Sequence, residues 1–318
     1  MVPASIKIIV NPNAAGGRGG NVLPDLRRLL DARGLAYQLR LTEGPGHARR
    51  MAEDWEGDGS DRLLVVGGDG TLHEVVNGLL STSGEAPALA VLPVGTGNDF
   101  HRMVRGSGEL PGVLSTLTDG VVRPFDVGLV RWAGGQEYFV NLLGLGIDVA
   151  VLRRRSRFLL LPGLLQYLAA LAAAAVTFRT LPVSVEAESA TGEEIRWTGK
   201  TLLTAITVGP SVGGGFLLSP DARPDDQALD LFLAGALGLT GVVRHLPSVL
   251  RGTHGNIRQV HMHQIRRARI QSADDTPLHF ELDGELMPDP SPWLEIEVVP
   301  GVLRILDEPS GHPARVGA

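Results

Sequence analysis

The chain has 318 residues, 43% of them hydrophobic and 20% charged, and no cysteine. That composition supports a sizeable core and excludes a generally disordered chain, while the missing thiols exclude disulfides and thiolate chemistry. A formal net charge of −6 argues against a general nucleic-acid binder, which carries a basic face.

The first stretch, Met1 to Lys7, runs directly into a strand and lacks the charged and long apolar regions of a signal peptide, which points to the cytoplasm. Ile6 to Val10 reads as a short buried strand ending at Asn11-Pro12-Asn13. A glycine loop, Gly16 to Gly20, precedes a helix marked by Val22, Leu26, Leu29 and Leu30. Tyr37 to Leu41 alternates as a strand, and Pro45 opens a helix through Met51. Leu63 to Val66 is a buried strand that breaks into Gly67-Gly68-Asp69-Gly70-Thr71 and enters a helix. Ala88 to Leu92 repeats the design, followed by Pro93-Val94-Gly95-Thr96-Gly97-Asn98-Asp99. Glycines let the backbone approach a polyphosphate, and the positive end of each following helix points at the same place. Lysine occurs only at Lys7 and Lys200, and neither follows the glycine spacing of a Walker loop. Any ATP bound here would be held without a Walker lysine. Alternating strands and helices predict a doubly wound sheet that takes its ligand at the carboxyl ends of the strands.

Beyond Arg123 the pattern changes to short strands separated by turns: Phe125 to Val130, Glu137 to Leu142, Val183 to Glu188, Leu202 to Val208, Leu229 to Leu233, Arg267 to Gln271, His279 to Leu282 and Leu294 to Val299. These predict an antiparallel β-sandwich-like domain. The expected division is 1–123 for the α/β domain, 124–308 for the β-rich domain and 309–318 for a frayed tail. The last strand, Val302 to Leu306, is open to returning to the first domain. Arg153-Arg154-Arg155-Ser156-Arg157 precedes Phe158 to Val176, a Leu- and Ala-rich run approaching membrane-span length but broken by Pro162-Gly163 and by Gln166. It reads as a helix covering the second domain, with a basic, apolar character suited to an anionic membrane surface. His261-Met262-His263 puts two imidazoles on one strand face without a third ligand nearby, which favours packing over zinc.

Asn11-Pro12-Asn13 with Gly16 to Gly20, the two glycine loops, and Asp283-Gly284-Glu285 together resemble the diacylglycerol kinase catalytic family, close to its bacterial YegS-like members and similar in fold to NAD kinases. The resemblance runs from Ile6 to about Leu306. It implies an N-terminal NAD kinase-like α/β nucleotide-binding domain, a C-terminal lipid-substrate domain, and ATP- and Mg²⁺-dependent phosphorylation of a lipid hydroxyl, diacylglycerol first. It assigns Asn11, Thr42, Gly67, Gly68, Asp69, Gly70, Thr71, Leu72, His73 and Thr96 to the nucleotide. Asp69 would organise Mg²⁺; Glu285 first, with Asp283 as the alternative, would accept the hydroxyl proton, and Asp283 would otherwise orient the hydroxyl or Mg²⁺. Read without the resemblance, Asp283-Gly284 is an ordinary turn and Asn98-Asp99 a helix cap. A second, structural Mg²⁺ would take Asp226 and the carbonyls of Arg223 and Ala228, although Gln227 stands where the family usually has glycine. A similar departure is Gly209-Pro210, where an asparagine-glycine pair is common. The same resemblance implies ATP and lipid as partners, transient contact with the inner membrane surface, and a sheet edge available for a homodimer. An NAD kinase-type phosphotransferase and a non-catalytic nucleotide or lipid sensor are the competing readings.

Overall fold

The structure is a computed structural model describing residues 6–55, 60–82, 84–158, 160–161 and 163–309. The expected frayed tail beyond residue 309 and the Pro162 break lie outside the described residues. The chain forms two compact units, residues 1–125 with 301–318, and residues 126–300. The crossing falls at Phe125, two residues beyond the sequence boundary at Arg123, and the segment from Gly301 belongs to the first unit.

In the first unit β1 (Ile6–Val10), β2 (Tyr37–Leu41), β3 (Arg62–Gly67) and β4 (Ala88–Pro93) are all parallel, in the order β2-β1-β3-β4. The helices are α1 (Ala14–Asn21), α2 (Leu23–Ala32), α3 (His47–Glu53), α4 (Asp69–Leu80) and α5 (Leu110–Asp119). Continuous apolar runs form the strands because both faces of the sheet are covered. Ile8, Val10, Leu64, Val66, Ala90 and Leu92 pack against Leu26, Leu30, Val113, Leu114 and Leu117 of the helices. The expected glycine loop appears within α1, where Ala15, Gly16 and Gly17 leave helical geometry at φ 46°, 71° and 102°.

The chain leaves the first unit along β5 (Val121–Trp132) and returns along β14 (Trp293–Asp307). β14 joins into one strand the two short strands that Pro300-Gly301 suggests; the chain bends at Gly301, φ 62°. Its returning end lies parallel to β4, with Ile305 opposite Leu89. Asp307, 1% exposed, fixes this end by pairing with Arg123 at 2.7 Å and accepting the Arg105 N–H at 2.9 Å.

The second unit is built from β6 (Gly135–Phe139), β7 (Leu142–Gly146), α6 (Ile147–Arg155), α7 (Gly163–Ala175), β8 (Leu181–Ser189), β9 (Glu194–Thr207), β10 (Leu229–Gly235), α8 (Leu239–Leu250), β11 (Val260–Ser272), β12 (Phe280–Leu282) and β13 (Glu285–Leu286). β9 pairs with β8 over its first half and with β10 over its second. β11 does the reverse, pairing with β10 and then with β8. Long strands that pass between sheets make the corners of a sandwich. Its core includes Phe139, Leu143, Leu145, Val183, Val185, Ile206, Leu231, Ile265, Ile270 and Phe280. The single expected strand Glu137 to Leu142 is broken at Val140-Asn141, whose N–H groups turn to the Asp283 carboxylate instead of a neighbouring strand. The helix α8 is absent from the sequence reading. α7 is 13 residues long, and no helix among the described residues is long and apolar enough to cross a membrane.

Candidate active site

Parallel register aligns the carboxyl ends of four strands in the first unit. Asn11 donates its N–H to Val66 O at 2.9 Å, Thr42 donates to Val10 O at 2.8 Å, and Val94 donates to Gly67 O at 3.0 Å. Asn11, Thr42, Gly67-Gly68 and Val94-Gly95 therefore stand in a row at one edge of the sheet. The side chain of Asn11 donates to Thr71 Oγ1 at 3.0 Å, joining the first strand to the first turn of α4.

The two glycine loops touch through their backbones. A Cβ at Gly68 would lie 2.9 Å from Gly95 Cα, and one at Gly95 would lie 2.5 Å from Gly68 Cα and 2.6 Å from Asn98 Oδ1. Asn98, at φ 53°, accepts the Gly95 N–H at 2.9 Å and returns a bond to Gly95 O at 3.1 Å. It shapes this loop rather than capping a helix. Asp69 is the first residue of α4 and accepts the Phe100 N–H at 3.2 Å, which ties the two loops together a second time. Thr96 is exposed on the second loop and Asp99 is buried beneath it. Gly70 lies in the first turn of α4, where Thr71, Leu72 and His73 are all buried, so Leu72 and His73 support the loop from inside the helix. Glu74, absent from the sequence reading, accepts the N–H groups of Gly46 at 2.7 Å and Ala48 at 3.1 Å and caps α3.

In the second unit β12, a two-residue turn and β13 form a hairpin with Leu282 opposite Glu285. Asp283 and Gly284 have φ of 50° and 88°, the positive pair that Asp-Gly hairpin turns require. Asp283 is 6% exposed, and its carboxylate accepts three backbone N–H groups: Val140 at 3.0 Å, Asn141 at 2.8 Å and Leu142 at 3.0 Å. Glu285 is exposed at the end of the turn.

Two carboxyl groups missed by sequence reasoning lie beneath this turn. Glu281 is fully buried and accepts the Gly284 N–H at 2.7 Å. Asp148 of α6 lies beside it, the two carboxyl groups both facing Gly144 of β7. Burial pushes Glu281 well above the usual carboxylate range, and the charge of Asp148 adds to this; burial also raises Asp148. Strand alternation places Glu281 on the opposite face from Phe280 and Leu282, which reads as solvent, so no local signal marks it.

Both folded-state values lie above the unfolded ones, so this pair contributes stability at pH below the ordinary carboxylate range. That contribution is lost as pH rises through the folded values. We expect urea midpoints of the wild type to fall between pH 5 and pH 9 and those of Glu281→Gln to fall less steeply. A wild-type profile no steeper than that of the variant would refute this.

At the second predicted metal loop, Asp226 accepts the Ala228 N–H at 3.2 Å and the Gln264 amide at 3.0 Å. Gln227 takes the left-handed conformation, φ 63°, that a glycine would take, and its N–H bonds Asp126 at 2.6 Å. Asp230 is pushed up to about 7, by burial first and then by Asp226 and Asp221. This excess of acidic charge with hard oxygen donors fits a divalent cation. No three Asp, Glu, His or Cys side chains among the described residues are arranged to hold a metal, so such an ion would lean on backbone carbonyls. That also holds for His261 and His263, which are exposed on β11.

Behind α6, an open apolar cavity of about 140 Å³ is lined by α7, α8 and the sheet, with Val151, Tyr167, Leu171, Phe232 and Val249 on its wall and Asp148 as its carboxyl group.

The first unit thus presents two touching glycine loops at the edge of a parallel sheet, and the second an acidic hairpin and an apolar cavity in a β-sandwich. Residues 5–130 match the diacylglycerol kinase catalytic domain, and residues 141–307 match the YegS C-terminal NAD kinase beta sandwich-like domain. A Pseudomonas aeruginosa protein named probable lipid kinase YegS-like is 32% identical over 88% of this chain and 87% of its own. The diacylglycerol kinase of Bacillus subtilis is 29% identical over 88% and 89%. A crystal structure of a diacylglycerol kinase from Bacillus anthracis shares the fold, with a TM-score of 0.71 at 21% identity over 97% of this chain and 98% of that one. The chain belongs to the diacylglycerol kinase catalytic family of YegS-like lipid kinases, and it is a lipid kinase.

Proposed function

We propose that this enzyme transfers the γ-phosphate of ATP to the hydroxyl of a membrane lipid, with diacylglycerol as the acceptor. The observation that carries the reading is the meeting of the apolar cavity and the acidic turn at one carboxyl pair in the second unit.

The backbone N–H groups of the two glycine loops and the N-terminus of α4 hold the triphosphate, with Asn11, Thr42, Thr71 and Thr96 around it. Asp69 would hold Mg²⁺, which when bound would neutralise the triphosphate charge. Glu285, exposed at the turn, takes the proton of the lipid hydroxyl as it attacks the γ-phosphorus and the bond to the β–γ bridging oxygen breaks to release ADP, and Asp283 fixes the turn that presents it. Positioning and electrostatic stabilisation supply most of the rate. The cavity takes the hydrocarbon next to the reacting hydroxyl.

The enzyme works in the cytoplasm at the inner membrane surface. Leu160, Leu165, Val176 and Val243 are exposed on and around α7 and α8, and Arg153, Arg157, Arg179 and Arg244 are exposed beside them. Apolar side chains with arginines suit transient contact with an anionic bilayer. Two copies pair through an edge of the sandwich as a homodimer, which sedimentation tests.

The deciding experiment is transfer of labelled γ-phosphate to a lipid panel containing diacylglycerol, with Mg²⁺ or with EDTA. Labelled phosphatidic acid formed only with Mg²⁺ is expected. Labelled NADP from added NAD, or ATP binding without any product, would overturn the reading.

The Asp226 loop is proposed to hold a structural Mg²⁺ with the carbonyls of Arg223 and Ala228. A ligand that binds only the folded state stabilises it in proportion to the logarithm of its concentration. Millimolar Mg²⁺ should therefore raise the melting temperature of the wild type more than that of Asp226→Ala. Equal shifts would remove the loop from the metal assignment.

A further inference from the structure

We propose that Glu281 and Asp148 are positioning residues that set the orientation of the catalytic turn, an inference that rests on the assignment of Asp283 and Glu285 given above. The Gly284 N–H lies between those two acidic residues in the chain. Its bond to Glu281 Oε2, at 2.7 Å, fixes the peptide that carries one into the other. A hairpin turn of two residues with positive φ is closed by its flanking strands. Here it has an additional anchor from below, on a side chain that is 0% exposed.

The space for that anchor is made by Gly144 of β7, the register partner of Glu281. A Cβ at Gly144 would lie 2.4 Å from Asp148 Oδ2 and 2.7 Å from Glu281 Oε1. The strand gives up a side chain so that two carboxyl groups can meet. Leu142, Leu143 and Leu145 on either side are buried apolar residues, so an apolar filling was open to this strand. Burying two acidic groups together is costly. Burial raises both carboxyls above the usual carboxylate range. The mechanism uses neither group directly. Asp148 faces the apolar cavity as well, so the pair links the cavity wall to the turn.

The test compares Glu281→Leu with Glu281→Gln and Asp148→Asn, measuring kcat, the KM for ATP and the KM for lipid, with Glu285→Gln in parallel. Glutamine keeps an oxygen for the Gly284 N–H and an amide N–H for Asp148, in the shape of a protonated glutamate. Glu281→Leu should lower kcat by about thirtyfold to a hundredfold with the KM for ATP within twofold of wild type. Glu281→Gln should keep kcat within threefold, and Asp148→Asn should fall between them. A wild-type kcat in Glu281→Leu, or a Glu281→Gln variant no better than the leucine one, overturns the proposal. Where Glu281→Leu does not fold, an Asp148→Asn variant with a wild-type kcat, or one whose KM for ATP rises as much as its kcat falls, does the same. A wild-type rate in Glu285→Gln would instead refute the assignment of the base, a separate outcome.

Discussion

Asp283→Ala is expected to destabilise the protein by about 4 kcal/mol and to abolish phosphoryl transfer. Three backbone N–H groups, of Val140, Asn141 and Leu142, end on this one carboxylate, and two of those bonds are made by residues that leave the strand ladder to reach it. A hydrogen bond to a charged group contributes about 1.5–3 kcal/mol, and each buried donor left unpaired costs about 1–3 kcal/mol. The left-handed conformation, φ 50°, costs an ordinary L-residue about 1–2 kcal/mol, and alanine lacks the short polar side chain with which aspartate offsets part of it. The full sum is not reached, because water can enter part of the space the side chain leaves. Asp283→Asn separates structure from chemistry. It tolerates the same backbone and keeps the Oδ1 acceptor for Asn141 and Leu142, so it should lose about 1–2 kcal/mol. Urea denaturation and activity on the same samples check both variants. A stable Asp283→Ala protein would mean that the 140–142 segment holds its path without the carboxylate.

Asp69→Asn is expected to lower kcat/KM by about 10³, which is about 4 kcal/mol of transition-state stabilisation. Asparagine keeps an oxygen for the Phe100 N–H, so the bond between the two loops survives. The lost charge weakens the start of α4 by about 0.3–1 kcal/mol, since a negative residue in a helix's first turn meets its positive end. The variant should therefore melt close to wild type while turnover collapses. Steady-state kinetics over a range of Mg²⁺ concentrations, with a thermal melt, would decide it. Wild-type kinetics in Asp69→Asn would exclude this carboxylate from the handling of Mg·ATP.

Much of the paired glycine loops was legible in the chain because their signals are local. A buried run that stops at glycines, followed by a helical stretch, carries strand, turn and helix within about a dozen residues, as in Leu63 to Leu72 and again from Ala88. The Asp-Gly pair at 283–284 likewise announces a tight hairpin. The order of motifs shared with diacylglycerol kinases points to the lipid kinase family for the same reason. Each motif is contiguous, and their sequence along the chain is itself information.

What was not legible depends on partners distant in sequence. Glu137 to Leu142 looks like one strand, and only the Asp283 carboxylate, more than 140 residues away, draws Val140 and Asn141 out of it. Leu294 to Val299 and Val302 to Leu306 look like two strands because Pro300-Gly301 is a turn signal, yet pairing on both sides of Gly301 makes one long strand. Gln227 gives no sign of a left-handed residue, and it holds that conformation because its N–H meets Asp126. The sequence by itself determined the alternating α/β half, the β-rich half and the contiguous loops that name the family, because propensity, periodicity and turn chemistry act over a few residues. Only the tertiary structure decided that Glu281 is buried beside Asp148, that Gly144 makes room for both, and that an apolar cavity opens at the same place. Burial and desolvation are properties of packed neighbours, which the linear spacing of residues does not encode.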